Sequence, residues 1–149
     1  MKLLLDINAK YKEPEVHICS AEASAEVREL KEFLANLLDD KVTAHRDQET
    51  RNIAAYEIVR LYSENKRVYL RTMDSTFEVR ERLYTFEETL RAKGFVRISN
   101  SEIVNIARIS KLDMSYAGTI KMYLKNGDIT FVSRRYVSRI KEVLNGEGR

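Results

Sequence analysis

Three short polar tips carry the side chains with the most chemistry to offer. The first holds Asn65, Lys66 and Arg67, the second is Ser99-Asn100-Ser101, and the third is Ser133-Arg134-Arg135-Tyr136. A carboxamide such as that of Asn100 donates and accepts at once, and against adenine in a DNA major groove the pairing is bidentate. Taken alone, Asn100 also fits a plainer role, shaping its own turn through backbone hydrogen bonds. Arg134 and Arg135 stand where a strand enters a helix, a place where unpaired N–H groups and the helix dipole favour an anion. Each guanidinium adds a planar fork that suits phosphate or O6 and N7 of guanine. Solvation, or pairing with Asp and Glu, is the competing role for two adjacent arginines.

Catalysis finds little to work with. The chain has two histidines, His17 and His45, and one cysteine, Cys19. His17 and Cys19 would share a strand face, but with His45 they lack the spacing of a zinc site. There is no Gly-rich phosphate loop, no Gly-x-Ser-x-Gly and no His-Glu-x-x-His. No catalytic residue, metal site or cofactor is expected.

The 149 residues suit one domain, or one domain with an appendage. A hydrophobic content of 44% is enough for a packed core. Lone Cys19 suits a reducing compartment. No apolar run is long enough to span a membrane, and Met-Lys-Leu-Leu-Leu-Asp does not open a signal peptide. The expectation is a cytoplasmic protein without membrane insertion. Net charge is +3 but uneven: residues 1–50 hold 7 Lys and Arg against 11 Asp and Glu, whereas the remainder holds 19 against 12. A basic C-terminal portion favours an anionic partner, nucleic acid first.

The elements that must position the tips follow from periodicity. Residues 2–7, 15–19 and 41–46 read as strands, and 46–52 as a polar turn. Between the first strands and 41–46 lies a helix. Its expected N-cap is Ser20, its apolar stripe Val27, Leu30, Leu34, Leu37 and Leu38, and its end Asp39-Asp40. Strands are expected at 56–62, 68–72 and 77–82. A two-residue turn at Asp74-Ser75 would set Leu70 opposite Val79 and Arg71 opposite Glu78. A helix follows, with Thr85 and Glu88 as a capping box, Leu83, Phe86 and Leu90 inward, and Gly94 as its stop. Phe95, Val96 and Ile98 on one side of the second tip, and Ile103, Val104 and Ile106 on the other, pull it toward a core. Strands at 108–114 and 119–125 follow. Asn126-Gly127 is a strong hairpin signal, and a two-residue loop there would pair Leu124 with Ile129 and Met122 with Phe131. The last helix begins near Ser133 or Arg134, carries Val137, Ile140 and Leu144 inward, and stops at Asn145-Gly146.

Several spaced segments together resemble the LytTR DNA-binding domain of bacterial transcription regulators. They are Ile58-Val-Arg-Leu-Tyr-Ser-Glu-Asn-Lys-Arg-Val-Tyr-Leu70, Leu83-Tyr-Thr-Phe-Glu-Glu-Thr-Leu90, Phe95-Val-Arg-Ile-Ser-Asn-Ser-Glu-Ile-Val-Asn-Ile106, Gly118-Thr-Ile-Lys-Met-Tyr-Leu-Lys-Asn-Gly127 and Val132-Ser-Arg-Arg-Tyr-Val137. The resemblance implies an elongated, mostly β domain with a few helices over 53–149, preceded by a strand–helix–strand extension over 1–52. It implies loops that enter successive major grooves of double-stranded DNA. By position, Asn100 with its neighbour Ser101 takes the family's Asn loop, Arg135 its Arg position, and Asn65, Lys66 and Arg67 its first loop. Some members carry a His in that first loop; this chain does not. Lys66, Arg67 and Arg134 would neutralise phosphates and set register, and Tyr136 completes the third tip. Residues 1–52 are too short for a phosphoreceiver domain, so a stand-alone response-regulator-like protein is expected. A homodimer through the N-terminal layer is expected too, and a small membrane-protein regulator is a partner that the resemblance suggests. The competing reading is a β-rich protein- or RNA-interaction module with a basic face. For RNA it would need Tyr11, Tyr116 and Tyr123 as stacking platforms.

Overall fold

The computed structural model describes residues 1–39 and 41–146, which fall into two compact units, Met1–Ala35 and Asn36–Arg149. Residues 2–7 and 15–19, expected as strands, form none. A strand needs a ladder partner, and here Leu3, Leu4, Leu5 and Ile7 stay almost wholly exposed. Helix α1 (Ala25–Asp39) starts later than Ser20 predicts. Ser24 caps it, its Oγ accepting the Val27 N–H at 3.3 Å, while the Ser20 hydroxyl donates to the Glu22 carbonyl. Val27, Leu30 and Leu34 are half-buried. The expected stop at Asp39-Asp40 lies partly outside the described residues.

The second unit is built from two antiparallel sheets. β1 (Lys41–Arg46), β2 (Glu49–Ala54), β3 (Arg60–Glu64), β4 (Arg67–Arg71), β5 (Thr76–Val79), β6 (Phe95–Ser99) and β7 (Glu102–Asn105) form the larger sheet, in the order β2-β1-β5-β4-β3-β7-β6. β8 (Ile109–Asp113), β9 (Ile120–Leu124) and β10 (Ile129–Val132) form the smaller, in the order β10-β9-β8. Residues 46–52, expected as a turn, mostly belong to the β1–β2 hairpin, whose tight turn has Asp47 at φ +56°. Helix α2 is Leu83–Leu90 and α3 is Val137–Leu144.

Strand β7 is buried at all four positions because apolar layers cover both its faces. Ile103 joins Leu61, Leu70 and Phe77 beneath Leu83, Phe86 and Leu90 of α2. Val104 joins Ile98, the inward face of β9 (Ile120, Met122, Leu124) and Ile140 and Val143 of α3. The Asn105 amide donates to the Ile58 carbonyl at 2.9 Å and accepts from the Ala107 N–H, so this buried polar group is satisfied.

Two hairpin registers differ from expectation. The β4–β5 turn centres on Met73-Asp74, one residue early, because Thr72 Oγ1 accepts the Ser75 N–H and fixes the bend there. Leu70 therefore faces Phe77 and Arg71 faces Thr76, with every side chain on its expected face. At Asn126-Gly127 the loop holds one more residue. The Leu124 N–H bonds to the Asp128 carbonyl, and Gly127 sits at φ +90° as the bulge residue. A one-residue slip turns β10 over. Thr130 and Val132 now pair with Met122 and Ile120, while Ile129 and Phe131 face outward, 51% and 48% exposed. The α2 capping box is absent: Arg82 occupies the N-cap with no side-chain bond. In α3 Val137 and Ile140 face inward as expected and Val143 joins them, whereas Leu144 lies outside.

Candidate nucleic-acid interface

The first tip is a two-residue turn between the paired residues Glu64 and Arg67. Asn65 and Lys66 both lie in left-handed backbone, at φ +51° and +63°. A type I′ turn demands that geometry, which Asn tolerates and Lys does so only with strain. The pair of positive φ angles projects Lys66 into solvent beyond the strand ends. Arg67 reaches back to Glu78 at 3.4 Å on an exposed face.

The second tip joins β6 to β7. The ladder shifts between Arg97 and Ser99, which leaves Ile98 in a bulge. The Ile98 carbonyl is then free to accept the Ser133 N–H at 2.9 Å, so the bulge draws the third tip alongside the second. On the other flank the Ser63 N–H bonds to the Ser101 carbonyl at 2.8 Å, tying in the strand that carries the first tip. Ser99 Oγ accepts the Ser101 N–H, and Asn100 stands exposed at the apex.

The third tip is a single 3₁₀ turn, Arg134–Tyr136, leading into α3. Arg134 lies across Gly118, where a Cβ would come within 3.0 Å of its Nε; Gly118 also sits at φ +71°. Arg135 is exposed, with its guanidinium 5.8 Å from the Tyr136 ring centre. The Tyr136 hydroxyl donates to Asn100 Oδ1 at 3.3 Å, a direct side-chain link between the second and third tips. Among the described residues Lys66, Arg134 and Arg135 have no ion-pair partner. The structure thus brings all three tips onto one continuous rim.

Beneath the rim lies a network that the sequence did not disclose. Arg60 donates to Glu102 at 2.8 Å and to Asp128 at 3.0 Å. Arg71 forks onto both Asp128 oxygens at 3.0 Å, and the Thr130 hydroxyl donates to Glu102 at 2.6 Å. Hydrogen bonding from Arg71, aided by Asn126 and Arg60 and outweighing partial burial, holds the Asp128 carboxyl down at about 2. Burial alone would lower Arg60, but Glu102 and Asp128 more than offset it. The network spans strands whose sequence separation reaches 68 residues, so no local pattern could reveal it. Arg97 was missed for another reason. It alternates with buried Val96 and Ile98 like any solvent-facing charge, yet its guanidinium turns back to the loop and to Glu87. No grouping of His, Cys, Asp and Glu fit for a metal occurs among the described residues, and none of their helices is long and apolar enough to cross a membrane.

The two-sheet frame gathers exposed amide and cationic side chains at one end of the larger sheet, the arrangement of a β-rich binding domain. Residues 48–145 match the model of the LytTr DNA-binding domain, and the chain belongs to that family. It is similar over nearly its whole length to proteins named as uncharacterised HTH-type transcriptional regulators of Staphylococcus aureus. Identity is 36% to that of strain MSSA476 and 35% to that of strain COL, covering 97% of this chain and 99% of theirs. Among solved structures, the LytTr domain of a Bacillus cereus protein described as a methyl-accepting/DNA response regulator superposes with a TM-score of 0.68. That match is 24% identical and covers 71% of this chain and 97% of the other, a likeness of fold. The relatives' name refers to a helix-turn-helix. In this chain five strands separate α2 from α3, and the tips are two strand-to-strand turns and a 3₁₀ turn.

Proposed function

We propose that the protein is a sequence-specific, double-stranded DNA-binding transcription regulator that presents the three tips to successive major grooves. One observation carries this reading: Asn100, Arg135 and the unpaired cations Lys66 and Arg134 stand on one rim, tied together by Ser63–Ser101, Ile98–Ser133 and Asn100–Tyr136 hydrogen bonds. Family membership and the regulators it resembles support the partner class. Asn100 and Arg135 meet base edges; Lys66, Arg67 and Arg134 meet phosphates and set register; Ser101 and Tyr136 border the Asn100 contact. The protein works as a homodimer through residues 1–39, whose exposed Leu3, Leu4, Leu5 and Ile7 call for cover. Two copies on one duplex gain selectivity that a few base contacts lack.

The test is binding to duplex from upstream of the protein's own gene, with random duplex as competitor and salt varied. Selective binding near physiological salt, lost on Asn100→Ala with Arg135→Ala, is the expected result. Weak, steeply salt-dependent binding that ignores both substitutions would leave the rim as a basic protein- or RNA-interaction surface instead.

A further inference from the structure

We infer that Arg97 and Tyr136 are positioning residues that fix the sense and reach of the Asn100 carboxamide, with Glu87 on α2 holding Arg97 in place. The inference rests on the reading that Asn100 meets a base edge. It assigns roles to Arg97 and Glu87 that their sequence context does not suggest, and gives Tyr136 a task other than touching DNA.

Arg97 bridges three groups. Its Nε donates to the Ser99 carbonyl at 2.7 Å, its Nη2 donates to the Asn100 carbonyl, and its Nη1 pairs with Glu87 Oε2 at 3.0 Å. The side chain is only 13% exposed. A cation spent on two loop carbonyls and a carboxylate, facing inward, is poorly placed for a phosphate. It is well placed to hold a turn that would otherwise relax, because charge-assisted bonds are the stronger kind. The same loop is pinned from both flanks by the Ser101 carbonyl and the Ser99 hydroxyl. Backbone freedom at Asn100 is thus removed before any DNA arrives, which lowers the ordering cost of binding.

Tyr136 completes the arrangement at the side chain. Its hydroxyl donates to Asn100 Oδ1 at 3.3 Å, so one sense of the carboxamide is favoured, the one that leaves the Nδ2 amino group to donate to a partner. A free carboxamide flips between two senses of similar energy and reads donors and acceptors alike. Held by Tyr136 in one sense, Asn100 has its Nδ2 fixed as a donor for a base acceptor, and the second lone pair of Oδ1 still accepts. The bulge at Ile98 is what brings Tyr136 within reach, through the Ser133–Ile98 bond.

The experiment partitions a duplex pool with a randomised central stretch by the full-length protein and sequences the bound fraction. Wild type is compared with Asn100→Ala, Tyr136→Phe, Arg97→Lys and Arg97→Met, each checked for a retained melting transition. Asn100→Ala should flatten one base position. Tyr136→Phe should weaken preference at that same position about two- to tenfold, the worth of one neutral hydrogen bond. Arg97→Lys keeps the charge but cannot bridge two carbonyls and Glu87, so it should not rescue the preference. Affinity for random duplex and its salt slope should stay as in wild type for Arg97→Met. Intact preference in Tyr136→Phe and both Arg97 variants, beside a flattened Asn100→Ala, overturns the inference alone. So does a salt slope shallower by roughly one in Arg97→Met with rescue by Arg97→Lys, which marks a phosphate ligand. If Asn100→Ala leaves every position unchanged, the base-reading role of Asn100 falls, and this inference with it. Should an Arg97 variant lose its melting transition, Tyr136→Phe decides the matter by the same position.

Discussion

At the residue scale the rim sets stability against recognition, and Lys66 shows it most clearly. A non-Gly residue in left-handed backbone carries strain of about 1 kcal/mol or more, and Lys66 does so at φ +63° in a turn that Gly would relax. Lys66→Gly should therefore raise stability by up to about 1 kcal/mol in urea unfolding. It should also weaken binding to all duplexes and make the salt slope shallower by roughly one, with no change of base preference. A loss of stability would mean that the Lys side chain has folded-state contacts that outweigh its strain. Arg135→Ala should behave in the opposite way, weakening the selected duplex about tenfold to a hundredfold more than random duplex. Equal losses on both would remove its base-reading role.

At the element scale the clasp of Arg60, Glu102, Thr130, Asp128 and Arg71 joins the larger sheet to the β9–β10 hairpin. Glu102 directly follows the second tip, and β10 leads into the third. Glu102→Ala takes from Arg60 one of its two carboxylate partners and leaves the Thr130 hydroxyl without its acceptor, so it should cost about 2 kcal/mol, read as a lower melting temperature and urea midpoint. Asp128 gives a pH signature. Its carboxyl sits at about 2 in the folded chain against an ordinary value of 3.8. The stability this provides is complete above about pH 4 and is lost as pH falls toward 2. It amounts to roughly 2 kcal/mol. Asp128→Asn should make the acid limb of a stability–pH curve shallower; an unchanged limb would show that Arg71 and Arg60 do not hold that charge.

At the scale of the whole molecule, the proposed dimer makes the mass in light scattering the quantity to follow. A mass near twice 17.4 kDa at micromolar concentration, falling on dilution, is expected. A constant monomer mass would leave the exposed residues 3–7 without the proposed partner copy. Duplex binding by a dimer should show a salt slope of about 0.9 for each phosphate neutralised, and so a steeper slope than one rim alone could give.

The sequence by itself determined what local rules can see. Amide and guanidinium side chains between apolar strands marked the three tips. Period-two runs marked most strands after residue 53, and Gly94 and Gly146 marked helix ends, each now at positive φ. Local patterns also misled. The apolar run at residues 2–7 promised a strand with no partner to pair it, and Asn126-Gly127 promised a loop one residue too short. Only the tertiary structure decided that β10 turns Thr130 inward to Glu102, that a bulge at Ile98 brings Tyr136 to Asn100, and that Arg97 serves the loop rather than solvent. Each of these depends on register or on partners from distant strands, and a hydrogen bond across tens of residues leaves no periodic trace in the chain that makes it.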